Sequence, residues 1–157
     1  MIIIIAQKQL KQKQRVKMNK NIAKRHINMP DEILFENKHI KIVGGVEIAK
    51  NGIFYTLTSE FKDKNFNNTS YLLSEYLSEN KKNYGIINYD MDRVDFERTD
   101  KGLKEALGYL FGQFETTTNI TGEIYKHINT ETFFHFIKTS QEKAHQKHEN
   151  TFIGKSR

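Results

Sequence analysis

The chain has 157 residues, 37% of them hydrophobic and 28% charged, with a net charge of +6 and no cysteine. That length suits one domain with a real core rather than two of ordinary size, and the lack of cysteine excludes a disulfide framework and any thiolate metal site. No apolar run approaches the ~20 residues a membrane helix needs, so the chain reads as soluble, intracellular and cytoplasmic.

Charge is unevenly placed along the chain. Lys8, Lys11, Lys13, Arg15, Lys17, Lys20, Lys24 and Arg25 fall within residues 1–30, where there is no acid. Residues 31–157 hold 17 basic and 19 acidic residues, so the rest of the chain is nearly neutral. The opening Met1-Ile2-Ile3-Ile4-Ile5-Ala6 is too short for a signal-peptide core and has no basic region before it. Leu10, Val16, Met18, Ile22 and Ile27 make no clean helical stripe, so burial does not order this arm strongly. An arm of this composition can bind phosphate backbones by releasing counterions, and it can equally be a solvated tail. If translation starts at Met18, five of the eight cations are lost. The sequence divides into a basic, mobile arm (1–29), one globular α+β domain (30–150) and a frayed tail (151–157).

After Pro30 the pattern turns to strands. Ile33-Leu34-Phe35 is a short apolar run, and Ile40 and Ile42 alternate with polar neighbours. Asn51-Gly52 predicts a two-residue hairpin turn, pairing Ile48 with Tyr55 and Val46 with Leu57. Val46, Ile48, Ile53, Tyr55 and Leu57 then share one apolar face. Gly44-Gly45 predicts a glycine bulge or three-residue connection pairing Ile42 with Val46; a kinked single strand is the alternative.

Thr69 or Asn68 can cap a helix running to about Glu79, with Leu72, Leu73, Tyr76 and Leu77 as its stripe. Tyr84 to Tyr89 reads as a strand, and Asp90 to Arg98 is ambiguous. The clearest helix spans Asp100 to Glu115, with Leu103, Leu107, Leu110 and Phe114 on one face and Thr99 or Asp100 as cap. Gly108 and Gly112 there each cost about 1 kcal/mol of helix propensity, which predicts another backbone packed closely against them. A last helix starts near Thr130 and turns Phe133, Phe134, Ile137 and Ala144 inward. The expected fold is α+β: a small antiparallel sheet built on the 46–59 hairpin, packed against about three helices.

Four groups carry chemistry-bearing residues. Asp90, Asp92 and Asp95 cluster beyond a strand end, where Mg2+ sites for phosphoryl transfer occur, but they also fit a solvated turn neutralised by Arg93 and Arg98. Glu142, His145 and His148 share a helical face with metal-ligand spacing, in a segment polar enough to be an exposed helix end. His135, among phenylalanines, has no identifiable nucleophile or carboxylate partner in sequence. Arg98-Thr99-Asp100-Lys101-Gly102 resembles the R-T-D-x-G loop of tRNA pseudouridine synthases, and that resemblance implies a catalytic Asp100. The match covers five residues that helix capping also explains, so the family is not adopted. No catalytic residue, metal or cofactor is assigned.

The reading is therefore a non-catalytic accessory or regulatory protein. Its eight arm cations hold an RNA or DNA backbone. The alternative is an adaptor or inhibitor that binds a protein partner, or its own copy, through aromatic-rich surfaces, and the remote alternative is a Mg-dependent phosphoryl-transfer or RNA-modifying enzyme.

Overall fold

The structure, a computed structural model, describes residues 26–78, 81–114 and 127–153. Strands β1 (Ile27–Asn28), β2 (Glu32–Glu36), β3 (Ile40–Ala49), β4 (Gly52–Phe61), β5 (Thr69–Ser78), β6 (Lys81–Ile87) and β7 (Arg93–Phe96) precede helices α1 (Asp100–Phe114) and α2 (Thr130–His148). A π-helical turn, Glu149–Ile153, extends α2. The strands form one antiparallel sheet in which β3 to β7 follow each other as neighbours. β1 and β2 both pair with β3, at opposite ends of it. None of the helices among the described residues is long and apolar enough to cross a membrane.

The expected α+β balance needs correction. The sheet is the larger part of the fold, and two helices rather than three lie among the described residues. The missing helix is β5. Leu72, Leu73, Tyr76 and Leu77 mimic a helical stripe, yet the segment pairs with β4 on one side and β6 on the other. An extended chain there satisfies the open backbone edges of both neighbours, which a helix would leave unpaired, and this outweighs local spacing. Its inward residues are Thr69, Tyr71, Leu73 and Glu75, all buried.

The β3–β4 hairpin keeps its expected faces but not its expected register. The turn uses Lys50-Asn51, so Ile48 opposes Ile53 and Val46 opposes Tyr55. A shift of two residues preserves side-chain parity, and Val46, Ile48, Ile53, Tyr55 and Leu57 are all buried. The second turn expected at Gly44-Gly45 is absent, because β3 runs through it as one strand. Inward positions alternate as Ile40, Ile42, Gly44, Val46 and Ile48 without interruption. Gly44 has a packing role: a β-carbon there would lie 2.6 Å from the ring of Phe136 on α2. A bare backbone at that position lets the ring lie flat on the strand.

The core forms between the inward sheet face and the two helices. Leu103, Ala106, Leu107 and Leu110 of α1 and Phe133, Phe136, Ile137 and Ala144 of α2 are buried against it. Both helices start on side-chain caps. The Thr99 hydroxyl accepts from Gly102 N at 2.9 Å, and Asn129 Oδ1 accepts from Thr132 N at 2.9 Å. Among the described residues, the packing partner expected at Gly108 and Gly112 is missing: none of them stands within 4 Å of where either β-carbon would be.

Candidate functional site

The eight arm cations Lys8, Lys11, Lys13, Arg15, Lys17, Lys20, Lys24 and Arg25 lie outside the described residues. The chain enters the described body at His26, whose Nε2 is 2.7 Å from Glu47 Oε2 on β3.

Most of the acidic and histidine clusters singled out in sequence do not converge. Asn88 Oδ1 accepts from the backbone N–H groups of Asp90 and Asp92, so these two belong to the β6–β7 turn. Asp95 is paired with Lys81 and Arg93, each at 2.9 Å. Among the described residues no group of three His, Asp or Glu side chains is arranged to hold a metal ion. Asp100 is tied to Lys138 at 2.7 Å, and Thr99 caps α1, as the capping reading requires. His135 is exposed. His148 is buried and hydrogen bonded to the Lys50 carbonyl at 2.8 Å, which pins the end of α2 to the β3–β4 turn.

The structure instead assembles a polar cluster around Glu75. This glutamate sits at an inward position of β5 and is 0% exposed. The Tyr55 hydroxyl from β4 donates to its Oε1 at 2.7 Å, and the Gln141 amide from α2 donates to the same oxygen at 3.1 Å. The same amide nitrogen also donates to the Tyr84 hydroxyl of β6 at 2.8 Å. On the other carboxylate oxygen, His145 Nε2 lies at 2.6 Å and Arg98 Nε at 3.5 Å. Six side chains from three strands, one loop and one helix thus meet at one buried charge. Their spacing on α2 explains why it can take part: Gln141 and His145 are one turn apart on the face above the sheet.

A buried carboxylate survives only where its lone pairs are met by donors and counter-charges. The Glu75 carboxyl lies below its ordinary value. Burial alone would push it up, but the hydrogen bond and charge of His145 and the donations of Tyr55 and Gln141 outweigh it. Burial and the neighbouring Glu75 charge push the Tyr55 phenol well above its ordinary value. Burial raises the Tyr84 phenol too, against the hydrogen bond from Gln141.

This has a consequence at low pH. A carboxyl with a lower folded than unfolded value stabilises the fold above its unfolded value of about 4.3, and that stability is lost as pH falls through the folded value. Glu36, lowered by Lys62, and Asp95, lowered by Lys81 and Arg93 against some burial, act in the same sense at the surface. Urea midpoints measured from pH 7 to pH 3 are expected to fall below about pH 5. The fall should be shallower in Glu75→Gln, which has no carboxyl to protonate there. An identical acid limb in both proteins would remove Glu75 as a contributor.

Comparison with protein-family models, curated proteins and solved structures returns no match to this chain. The functional reading therefore rests on the residues themselves. The opposite face of the sheet carries a pocket of about 250 Å3 whose lining includes Asp31, Glu47, Phe54, Thr56, Thr58 and Ser70. Two carboxylates and no Lys or Arg line it among the described residues, which makes it a poor receptor for a phosphate.

Sequence reasoning missed Glu75, Tyr55, Tyr84 and Gln141 and placed His145 on a solvated face. One signal was available. With Thr69–Ser78 written as a strand, Glu75 is the sole charge on an inward row of Thr69, Tyr71 and Leu73.

Proposed function

We infer that this chain is a nucleic-acid-associated accessory or regulatory protein, held on RNA or DNA by its N-terminal arm. The supporting observation is the partition of charge: eight cations and no acid in residues 1–30, against a net charge of −2 in residues 31–157. Cations bound along a phosphate backbone release condensed counterions, and this entropy gain is independent of sequence. The body has no such surplus, so it acts as the platform that the arm tethers. A cytoplasmic setting accords with the absence of cysteine.

The test is fluorescence anisotropy with labelled RNA and DNA duplexes. The native chain is compared with a full-length variant in which the eight arm Lys and Arg are replaced by Gln. Binding is expected for the native chain and not for the variant, with little preference between base sequences. Equal binding by both would remove the arm from the account, and no binding by either would remove the function.

One observation favours the alternative, a protein-binding role. Ile33 is 56% exposed on β2, which pairs only with β3 among the described residues and so offers a free strand edge. A mass by light scattering that rises with protein concentration would support self-association through that edge.

A further inference from the structure

The β2–β3 turn and the β4–β5 loop form a cleft at one end of the sheet, apart from the Glu75 cluster. We propose that this cleft takes one nucleotide of a single strand, its base stacked on Phe66 and its phosphate held by Lys38. This rests on the nucleic-acid reading above and names the form of polyanion that the body itself selects.

The cleft has a volume of about 230 Å3 and is lined by Lys38, His39, Phe61, Lys62, Asp63 and Phe66. Sites for drug-sized ligands begin at about 300 Å3, so this one suits a single ring rather than a large cofactor. Its lining sets aromatic rings beside cations, the combination by which single strands are bound, because every base offers a face to stack on and a phosphate next to it. Phe66 is 38% exposed, and its ring centroid lies 5.9 Å from that of Phe61 at an angle of 52°. Phe61 in turn packs against the core, so the exposed ring is backed by the sheet. A duplex keeps its bases stacked on one another and has none to offer Phe66. The cleft therefore reads strandedness.

Both loops are tied down before a ligand arrives. Asn37 Oδ1 accepts from the N–H groups of His39 and Ile40 at 2.8 and 3.0 Å, which sets the turn that carries Lys38. Lys62 N donates to the His39 carbonyl at 2.9 Å and joins that turn to the β4–β5 loop. Within the loop, Phe66 N donates to the Asp63 carbonyl at 3.2 Å, and Phe61 N donates to Asn68 Oδ1 at 3.0 Å. The ordering cost of binding thus falls mainly on the strand.

The charges favour a phosphate. Asp63 is the one carboxylate in the lining, and its Oδ1 accepts from Asn65 N at 2.9 Å. Lys62 is paired with Glu36 at 2.8 Å, so the exposed Lys38 supplies the cation. The pocket on the outward face of the sheet, with its two carboxylates, has the opposite character.

A free nucleotide offers the same base and phosphate, so the experiment has two arms. In the first, affinity of the full chain for a labelled single strand and for its duplex is measured in the native protein and three variants. Phe66→Leu keeps apolar bulk against Phe61 but has no ring to stack, Lys38→Gln removes the cation, and Tyr109→Leu is the control, an aromatic of like exposure on α1. Phe66→Leu is expected to lose about 5- to 150-fold on the single strand, the worth of one stacked base, and nothing on the duplex. Lys38→Gln is expected to make the dependence of log affinity on log salt shallower by about 0.7 on the single strand. Unchanged single-strand affinity in Phe66→Leu, the same loss on the duplex, an equal loss in Tyr109→Leu or an unchanged slope in Lys38→Gln overturns the proposal. In the second arm, the Phe66 ring signals are followed by NMR while a tetranucleotide or a mononucleotide is titrated into the native chain. Saturable upfield shifts are expected, at lower concentration with the tetranucleotide. No shift overturns the site, and a mononucleotide that binds as tightly makes the occupant a free nucleotide and overturns the strand. If the full chain binds no nucleic acid in the first arm, the function fails, and the second arm still decides whether the cleft takes a nucleotide.

Discussion

Glu75→Ala is expected to lower the stability of the protein by about 3–4 kcal/mol, combining a buried donor left unmet with the cavity of the lost side chain. Tyr55 is fully buried, and its hydroxyl finds its acceptor in Glu75. Gln141 and His145 lose the same acceptor, but both lie nearer to solvent and can turn outward. The Tyr55 hydroxyl has no such exit. Removing both sides of the interaction should therefore cost less than removing one. The pair Glu75→Leu with Tyr55→Phe leaves no polar atom stranded and is expected to be well above Glu75→Ala in urea midpoint. A loss below 1 kcal/mol in Glu75→Ala, or a double variant as weak as the single one, would show that the cluster does not hold the sheet to α2.

Gly102→Ala and Gly108→Ala, the same change six residues apart in α1, are expected to act in opposite directions. A β-carbon on Gly102 would stand 1.9 Å from the Glu97 carbonyl oxygen. That neighbour is backbone, so no side-chain rotation relieves the clash. Shifting the chain would also stretch the 2.9 Å bond from Gly102 N to the Thr99 cap. Strain and cap loss together are expected to cost about 2–4 kcal/mol. At Gly108 none of the described residues lies within 4 Å of the added carbon. There alanine brings only its helix propensity, a gain of about 1 kcal/mol and a rise of about 2–4 °C in Tm. Thermal unfolding of the two variants checks both signs. A stabilised Gly102→Ala would mean that the Glu97–Gly102 turn is not closed as described.

The helices and the apolar faces were legible in the sequence because each is written in local periodicity. Leu103, Leu107 and Leu110 mark α1, and the Thr99 cap marks its start. The inward faces of the β3–β4 hairpin survived an error of two in register, since such a shift does not change parity. What failed depended on neighbours distant in sequence. Gly52 reads as a turn residue, yet its bare Cα is needed where the Glu75 carbonyl of β5 would stand 2.5 Å from a β-carbon. Thr69–Ser78 carries a helical spacing of leucines and becomes a strand through pairing with β4 and β6. That single misassignment also hid the site, because Glu75 falls outside the helical stripe of Leu72, Leu73, Tyr76 and Leu77 but on the inward row of the strand. His145 meets Glu75 across 70 residues and Arg98 meets it across 23, and no local spacing encodes either approach.

The central claim is that the arm binds a polyanion by charge alone, and the salt dependence of affinity for duplex DNA tests it most directly. Eight phosphate contacts give a slope of log affinity against log salt of about −7. Replacing Lys8, Lys11, Lys13, Arg15 and Lys17 with Gln in the full chain removes five contacts, which should bring the arm's share to about −3. A shallow slope in the native chain, or the same slope in both proteins, would contradict the account.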